Sequence, residues 1–135
     1  MVSAVTNQGK VQFMIYSETM NAERLIEFLK QLIKSSTRKI YLILDNLKVH
    51  RSKVVKEWVE KNQDKIALFF LPSYSPEMNP DEYLNCDLKQ GLSAKKSPKN
   101  KDILQNNVKR HMDLLANNPE RVKKYFKHKS IEYAA

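Results

Sequence analysis

YLILDNLKVH, residues 41–50, decides how the chain is read. With Lys39 and Ile40 ahead of it, the apolar run KIYLIL is rich in β-formers and bounded by polar residues. Such a run suits a strand covered on both faces, as in a parallel sheet. It ends abruptly on Asp45 and Asn46, and His50 follows. Ligand sites in α/β sheets lie beyond the carboxyl ends of strands, which makes Asp45 a candidate for chemistry. The local alternative is that Asp45 and Asn46 only turn or cap the chain.

Downstream, the spacing predicts a helix from about Ser52 to Asn62, with Val54, Val55, Trp58 and Val59 inward. KIALFFLP is a second short apolar strand, SYSPEMNP a loop, and a further helix opens near Pro80 and ends near Gly91. Upstream, MVSAVTNQGKVQFMIYSE reads as two strands joined at Asn7-Gln8-Gly9, where glycine takes a positive φ at no steric cost. Leu25, Ile26, Phe28, Leu29, Leu32 and Ile33 then fall on one helical face, with Asn21 as N-cap and Glu23 in the first turn. Past a basic connector, SAKKSPKNK, come a helix over DILQNNVKRHMDLLANN and another that Pro119 can start. The order β-β-α-β-α-β-α-α, with the Pro119 helix at its end, describes an α/β fold with helices packed on a mixed sheet.

Composition sets the outer bounds. The chain has 135 residues, 41% hydrophobic and 29% charged, enough for one globular domain. No apolar run approaches the roughly 20 residues of a membrane span. No basic segment followed by an apolar one marks the first residues as a secretory signal. A lone cysteine, Cys86, excludes an internal disulfide and a thiolate metal cluster, and a cytoplasmic location is expected. The net charge of +9 is unevenly spread. Residues 1–87 hold 12 Lys/Arg against 11 Asp/Glu, whereas residues 88–135 hold 12 against 4. A near-neutral body with a basic tail fits a polyanion partner, most simply nucleic acid. A lysine-rich solvated surface is the plainer account.

Glu82, in SPEMNPDEY, is the second candidate carboxylate. Asn79 as N-cap, Pro80 at N1 and Glu82 at N3 also form a capping-box pattern that needs no catalysis, and Asp81 serves the helix dipole equally well. Taken together, the two acids read differently. Asp45 ends one strand and Glu82 opens the helix after the next strand, 37 positions on. If the strands are neighbours, both carboxylates reach the same end of the sheet. Carboxylates gathered there repel unless a cation lies between them. A hard divalent ion accepts one or two carboxylates plus water and phosphate oxygens. Cys86 and Asp87 read as ordinary helix positions.

LILDNLKVH, followed by LFFLPSYSPEMNPDEYLNCDLK, resembles the catalytic core of DDE transposases of the insertion sequence 630/mariner superfamily. The resemblance rests on Asp45-Asn46 with His50, and on Pro72, Tyr74-Ser75-Pro76, Asn79-Pro80 and Glu82. It implies a ribonuclease H-like fold that cleaves and joins DNA strands with Mg²⁺ or Mn²⁺, two ions in a complete site. Asp45 is then the second carboxylate of the triad and Glu82 the third, both as metal ligands. Asn46 and His50 hold the Asp45 loop or contact DNA, and Asn79 and Pro80 shape the turn that aims Glu82. DNA is the implied partner. Lys48, Arg51 and Lys53 can meet phosphates, although a solvated helix start explains them as well. Tyr74 can stack on a base or contact phosphate, or else pack against the sheet edge. Lys95, Lys96, Lys99 and Lys101 supply the basic tail.

The family's first aspartate, on a central strand upstream of the hairpin, has no counterpart. Between Met1 and Asp45 the only acids are Glu18, Glu23 and Glu27. Glu23 and Glu27 lie on the polar side of a helix, and Glu18 follows the wrong strand. The chain therefore reads as a piece. Residues 1–92 form a partial ribonuclease H-like core lacking its first strand, and residues 93–135 a basic helical segment. An upstream fragment that supplies this strand and aspartate is an expected partner, and a second copy of the chain is another the reading leaves open. The expected function is that of a transposase catalytic fragment inactive by itself. The alternatives are a non-catalytic DNA-binding or assembly module and, less well supported by the Ser-Pro-x-x-Asn-Pro-x-Glu loop, a ribonuclease H-type nuclease.

Overall fold

The computed structural model describes all 135 residues, in the expected order of elements. These are β1 (Val2–Val5), β2 (Val11–Met14), α1 (Ala22–Lys34), β3 (Ile40–Leu44), α2 (Lys53–Lys61), β4 (Ile66–Phe70), α3 (Pro80–Ser93), α4 (Lys101–Ala116) and α5 (Pro119–Lys123). Parallel and antiparallel pairing both occur, in two two-stranded sheets that share no strand. The chain forms two compact units, one of Tyr16–Pro76 and one of Met1–Ile15 with Glu77–Ala135.

In the Tyr16–Pro76 unit, β3 and β4 run parallel in the register Ile40↔Ile66 to Leu44↔Phe70. The Ile40 N–H donates to Lys65 O and the Leu71 N–H to Leu44 O, both at 2.9 Å, so the ladder extends past each end. Asn21 caps α1 as expected, its Oδ1 accepting from the Arg24 N–H at 2.9 Å. Leu25, Phe28, Leu29 and Leu32 form the buried stripe of that helix. Ser52 caps α2, whose buried residue is Val55.

Two expectations need correction here. Val54 does not point inward: it is 53% exposed, beside a Val55 that is fully buried. A short helix buries one narrow stripe, and a residue one position from its centre is rotated about 100° out of it. Nor is β3 covered on both faces. Leu44 is buried on one side, whereas Tyr41 and Ile43 on the other are exposed, as is Phe69, which pairs with Ile43. The apolar run encodes a parallel strand, but nothing in this chain packs on its second face.

In the other unit, β1 and β2 pair antiparallel from Val2↔Met14 to Val5↔Val11. Leu84, Leu88, Met112, Leu115, Val122, Tyr125, Phe126 and Ile131 build the core, with Val5, Val11 and Phe13 of the hairpin against it. The hairpin turn uses Gly9 at φ 88°, and its N–H donates to Thr6 O at 3.0 Å. A Cβ at Gly9 would lie 2.7 Å from the Cα of Pro119. Gly9→Ala meets both the positive φ and a backbone wall, so a loss well above 1 kcal/mol is expected. Urea unfolding of the purified variant reads it, and an unchanged midpoint would show that the turn can re-form elsewhere.

Candidate functional site

Asp45 is the first residue past β3 and is half-buried. Its backbone is held from the following turn, where His50 sits in a 3-10 segment, Val49–Arg51. His50 Nδ1 lies 2.6 Å from the Asp45 carbonyl. A carbonyl only accepts, so Nδ1 carries the proton of this hydrogen bond. Asn46 ties this turn to the loop after β4, its Nδ2 donating to Ser73 Oγ at 3.2 Å, while its Oδ1 is buried without a partner. The carboxyl ends of both parallel strands are thus stapled together beside Asp45. Lys48, Arg51 and Lys53 are exposed there, Lys53 within 3.9 Å of Glu57.

Tyr74 stands in the stapled loop. Its packing against the sheet edge is overturned, because the side chain is 101% exposed. Its φ of 57° places it in the left-handed region.

Glu82 belongs to the other unit and is half-buried at the start of α3. Asn79 is the N-cap, its Oδ1 accepting from the Asp81 N–H at 3.0 Å, and Pro80 opens the helix. The Glu82 N–H donates to Asn79 O at 3.0 Å. Several groups pin this first turn. Ser3 Oγ of β1 donates to Asp81 Oδ1 at 2.6 Å. The Tyr83 ring stacks on His128 at 3.8 Å between centroids, and the Tyr133 hydroxyl donates to Met78 O. The helix start that presents Glu82 is therefore fixed by residues far apart in the chain. Lys95, Lys96, Lys99 and Lys101 are exposed between α3 and the first turn of α4.

Glu18 is engaged by Arg24 at 3.0 Å, and Glu23 and Glu27 are exposed. No three His, Cys, Asp or Glu side chains gather closely enough to cage an ion. The donors in question are nevertheless hard carboxylate oxygens, and one or two of these suffice for Mg²⁺ when water and phosphate complete the shell.

The sequence reading passed over Asp87. Its side chain is only 13% exposed, and it accepts from Arg121 Nε at 2.9 Å, from Arg121 Nη2 and from the Tyr125 hydroxyl. His111 Nε2 lies 3.3 Å from the same carboxylate. Gly91, one turn along α3, makes room for that ring: a Cβ there would lie 2.5 Å from His111 Nδ1. Burial pushes the Asp87 carboxyl up, but the hydrogen bonds from Arg121 and Tyr125, with the charges of Arg121 and His111, outweigh it and hold the carboxyl below its ordinary range. Burial and the Asp87 carboxylate push the Tyr125 phenol well up. No local pattern announces this cluster, because its members are 24 to 38 positions from Asp87.

The sequence pattern of the DDE superfamily endonucleases matches residues 1–105. No curated protein matches the chain. Among solved structures, the catalytic domain of Mos1 mariner transposase is similar with a TM-score of 0.60 at 17% identity, over 95% of this chain and 70% of that one. The same catalytic domain with raltegravir and Mn matches with a TM-score of 0.60, and with raltegravir and Mg 0.61, each at 16% identity over 95% of this chain and 71% of that one. The likeness is one of fold, an α/β ribonuclease H-like arrangement.

Proposed function

Because the chain belongs to the DDE superfamily endonucleases, we propose that it is a DNA transposase catalytic fragment, with Asp45 and Glu82 as two of its three metal-holding carboxylates. The observation that supports this best is the double anchoring of the Asp45 turn. The His50 ring holds the Asp45 carbonyl and Asn46 reaches Ser73 across to β4. A turn that only reverses the chain needs neither hold. Anchoring of this kind sets a carboxylate in place before a ligand arrives, which is what catalysis by positioning requires.

In this reading residues 1–92 are a partial catalytic core and residues 93–135 a basic segment that meets DNA. Asp45 and Glu82 hold Mg²⁺ or Mn²⁺. Bound there, such ions would supply activation of a water and stabilisation of the leaving oxygen of a phosphodiester. His50 and Asn46 position Asp45, Asn79 and Pro80 aim Glu82, and Lys48, Arg51, Lys53 and Tyr74 face DNA. The third carboxylate lies outside residues 1–135, on a strand that pairs along the free edge of β3. Alone, the chain does not cut. Sustained Mg²⁺-dependent nicking of plasmid DNA by residues 1–135, abolished by Asp45→Ala, would overturn that.

The second reading, a DNA-binding or assembly module without metal chemistry, draws on the exposed lysines after α3. Reversing Lys95, Lys96, Lys99 and Lys101 to glutamate is expected to weaken duplex binding uniformly across sequences. The slope of log affinity against log salt should shrink by about 3.6 if each of the four lysines meets one phosphate. Fluorescence anisotropy over a salt series measures it. An unchanged slope assigns those lysines to a solvated surface and removes the module reading.

A further inference from the structure

Tyr74 is the only non-glycine residue of the chain at positive φ. In that region the Cβ of an L residue crowds the following carbonyl oxygen, at a cost of about 1–2 kcal/mol. Side-chain packing usually offsets such a cost, but this ring is wholly exposed and packs on nothing. The conformation is instead imposed by its neighbours. Ser73 is held by Asn46 at 3.2 Å, and Ser75 Oγ donates to Ser73 O at 3.3 Å. These bonds turn the ring outward from a loop stapled to the Asp45 turn.

We infer that Tyr74 is a stacking platform for an unpaired base of DNA, next to the strand position that Asp45 serves. The inference rests on the transposase reading and deepens it by naming the form of DNA at this point. A phosphate contact uses only the hydroxyl and gives no reason to present both faces of the ring. A base inside a duplex already has neighbours on both of its faces, so an exposed aromatic gains most from a base that has left the stack. The exposed Lys48 and Arg51, in the turn that Asn46 anchors, are cations suited to the flanking phosphates.

The test uses the full chain with a short single strand carrying 2-aminopurine and with the matching duplex. The single strand is expected to bind with its 2-aminopurine emission quenched. Tyr74→Phe should keep both, and Tyr74→Asn should lose the quench and about tenfold in affinity. Asparagine tolerates the left-handed region, so Tyr74→Asn should melt no lower than the parent chain, which separates lost stacking from lost folding. Unchanged single-strand binding and quench in Tyr74→Asn overturn the inference. So does a Tyr74→Phe variant as impaired as Tyr74→Asn, which assigns the contact to the hydroxyl. If the duplex still binds in a salt-dependent way, only this inference has failed; if neither DNA binds, the transposase reading fails with it.

Discussion

Combined with a polypeptide that carries the first strand and its aspartate, the chain is expected to cleave duplex DNA in Mg²⁺, and Asp45→Ala or Glu82→Ala to slow that cleavage by about a thousandfold or more. Stabilising transition-state charge through a bound metal is worth several kcal/mol, and each 1.36 kcal/mol is a factor of ten in rate. Glu82 needs a sharper variant than alanine, because it also sits in the first turn of α3, where a carboxylate favours the helix dipole. Glutamine matches glutamate in size and helix propensity but brings no charge to a metal. Glu82→Gln should therefore melt close to the parent chain and still lose the cleavage. A Glu82→Gln enzyme that cuts at the parental rate would remove Glu82 from the metal-holding carboxylates. His50→Ala should fall between these extremes, since its ring holds the Asp45 carbonyl and not the carboxylate. Single-turnover cleavage of an end-labelled duplex distinguishes the three.

Asp87→Ala is expected to destabilise the chain by about 3 kcal/mol, or on the order of 10 °C in melting temperature. Removing the carboxylate leaves the Arg121 guanidinium and the Tyr125 hydroxyl without their acceptor, and removal of one partner from an enclosed pair is the costly case. The loss is below that of a fully enclosed pair because the Arg121 side chain remains 42% exposed. The double variant Asp87→Leu with Arg121→Met should recover much of it, since no unpaired charge is left. Stability of the parent chain should also depend on pH in a predictable direction. The Asp87 carboxyl is depressed on folding, so its contribution is present above the ordinary carboxylate range and is lost as pH falls through and below it. The Tyr125 phenol is raised, so its contribution is present below about pH 10 and is lost as pH rises beyond. Urea midpoints across pH should show both arms, and Asp87→Ala should flatten them. Retained arms in that variant would place the titrating groups elsewhere.

Much of this molecule was legible before any coordinate. Asn21 and Asn79 cap the helices they precede, Pro80 and Pro119 open theirs, and Gly9 turns the hairpin. Each is a local effect: a side chain meets a backbone N–H two or three residues away, or a φ angle admits only certain residues. The alternation of apolar runs and helical stripes set the order of elements for the same reason. The segment linking Asp45, Asn46 and His50, and the loop leading to Glu82, also lay on the surface of the sequence.

What the tertiary structure alone decided depends on residues brought together from a distance. Val54 lost its inward position to the single stripe α2 can bury, and β3 kept one face exposed because no second layer packs on it. The Tyr74 ring was turned outward by bonds that begin at Asn46. Asp87, an ordinary helix position by its neighbours in sequence, became the anchor for α5 and the 3-10 segment after it through Arg121 and Tyr125, 34 and 38 positions away. Caps and turns are written in adjacent residues. Exposure and the pairing of buried charge are set by the packing of elements, which adjacent residues do not encode.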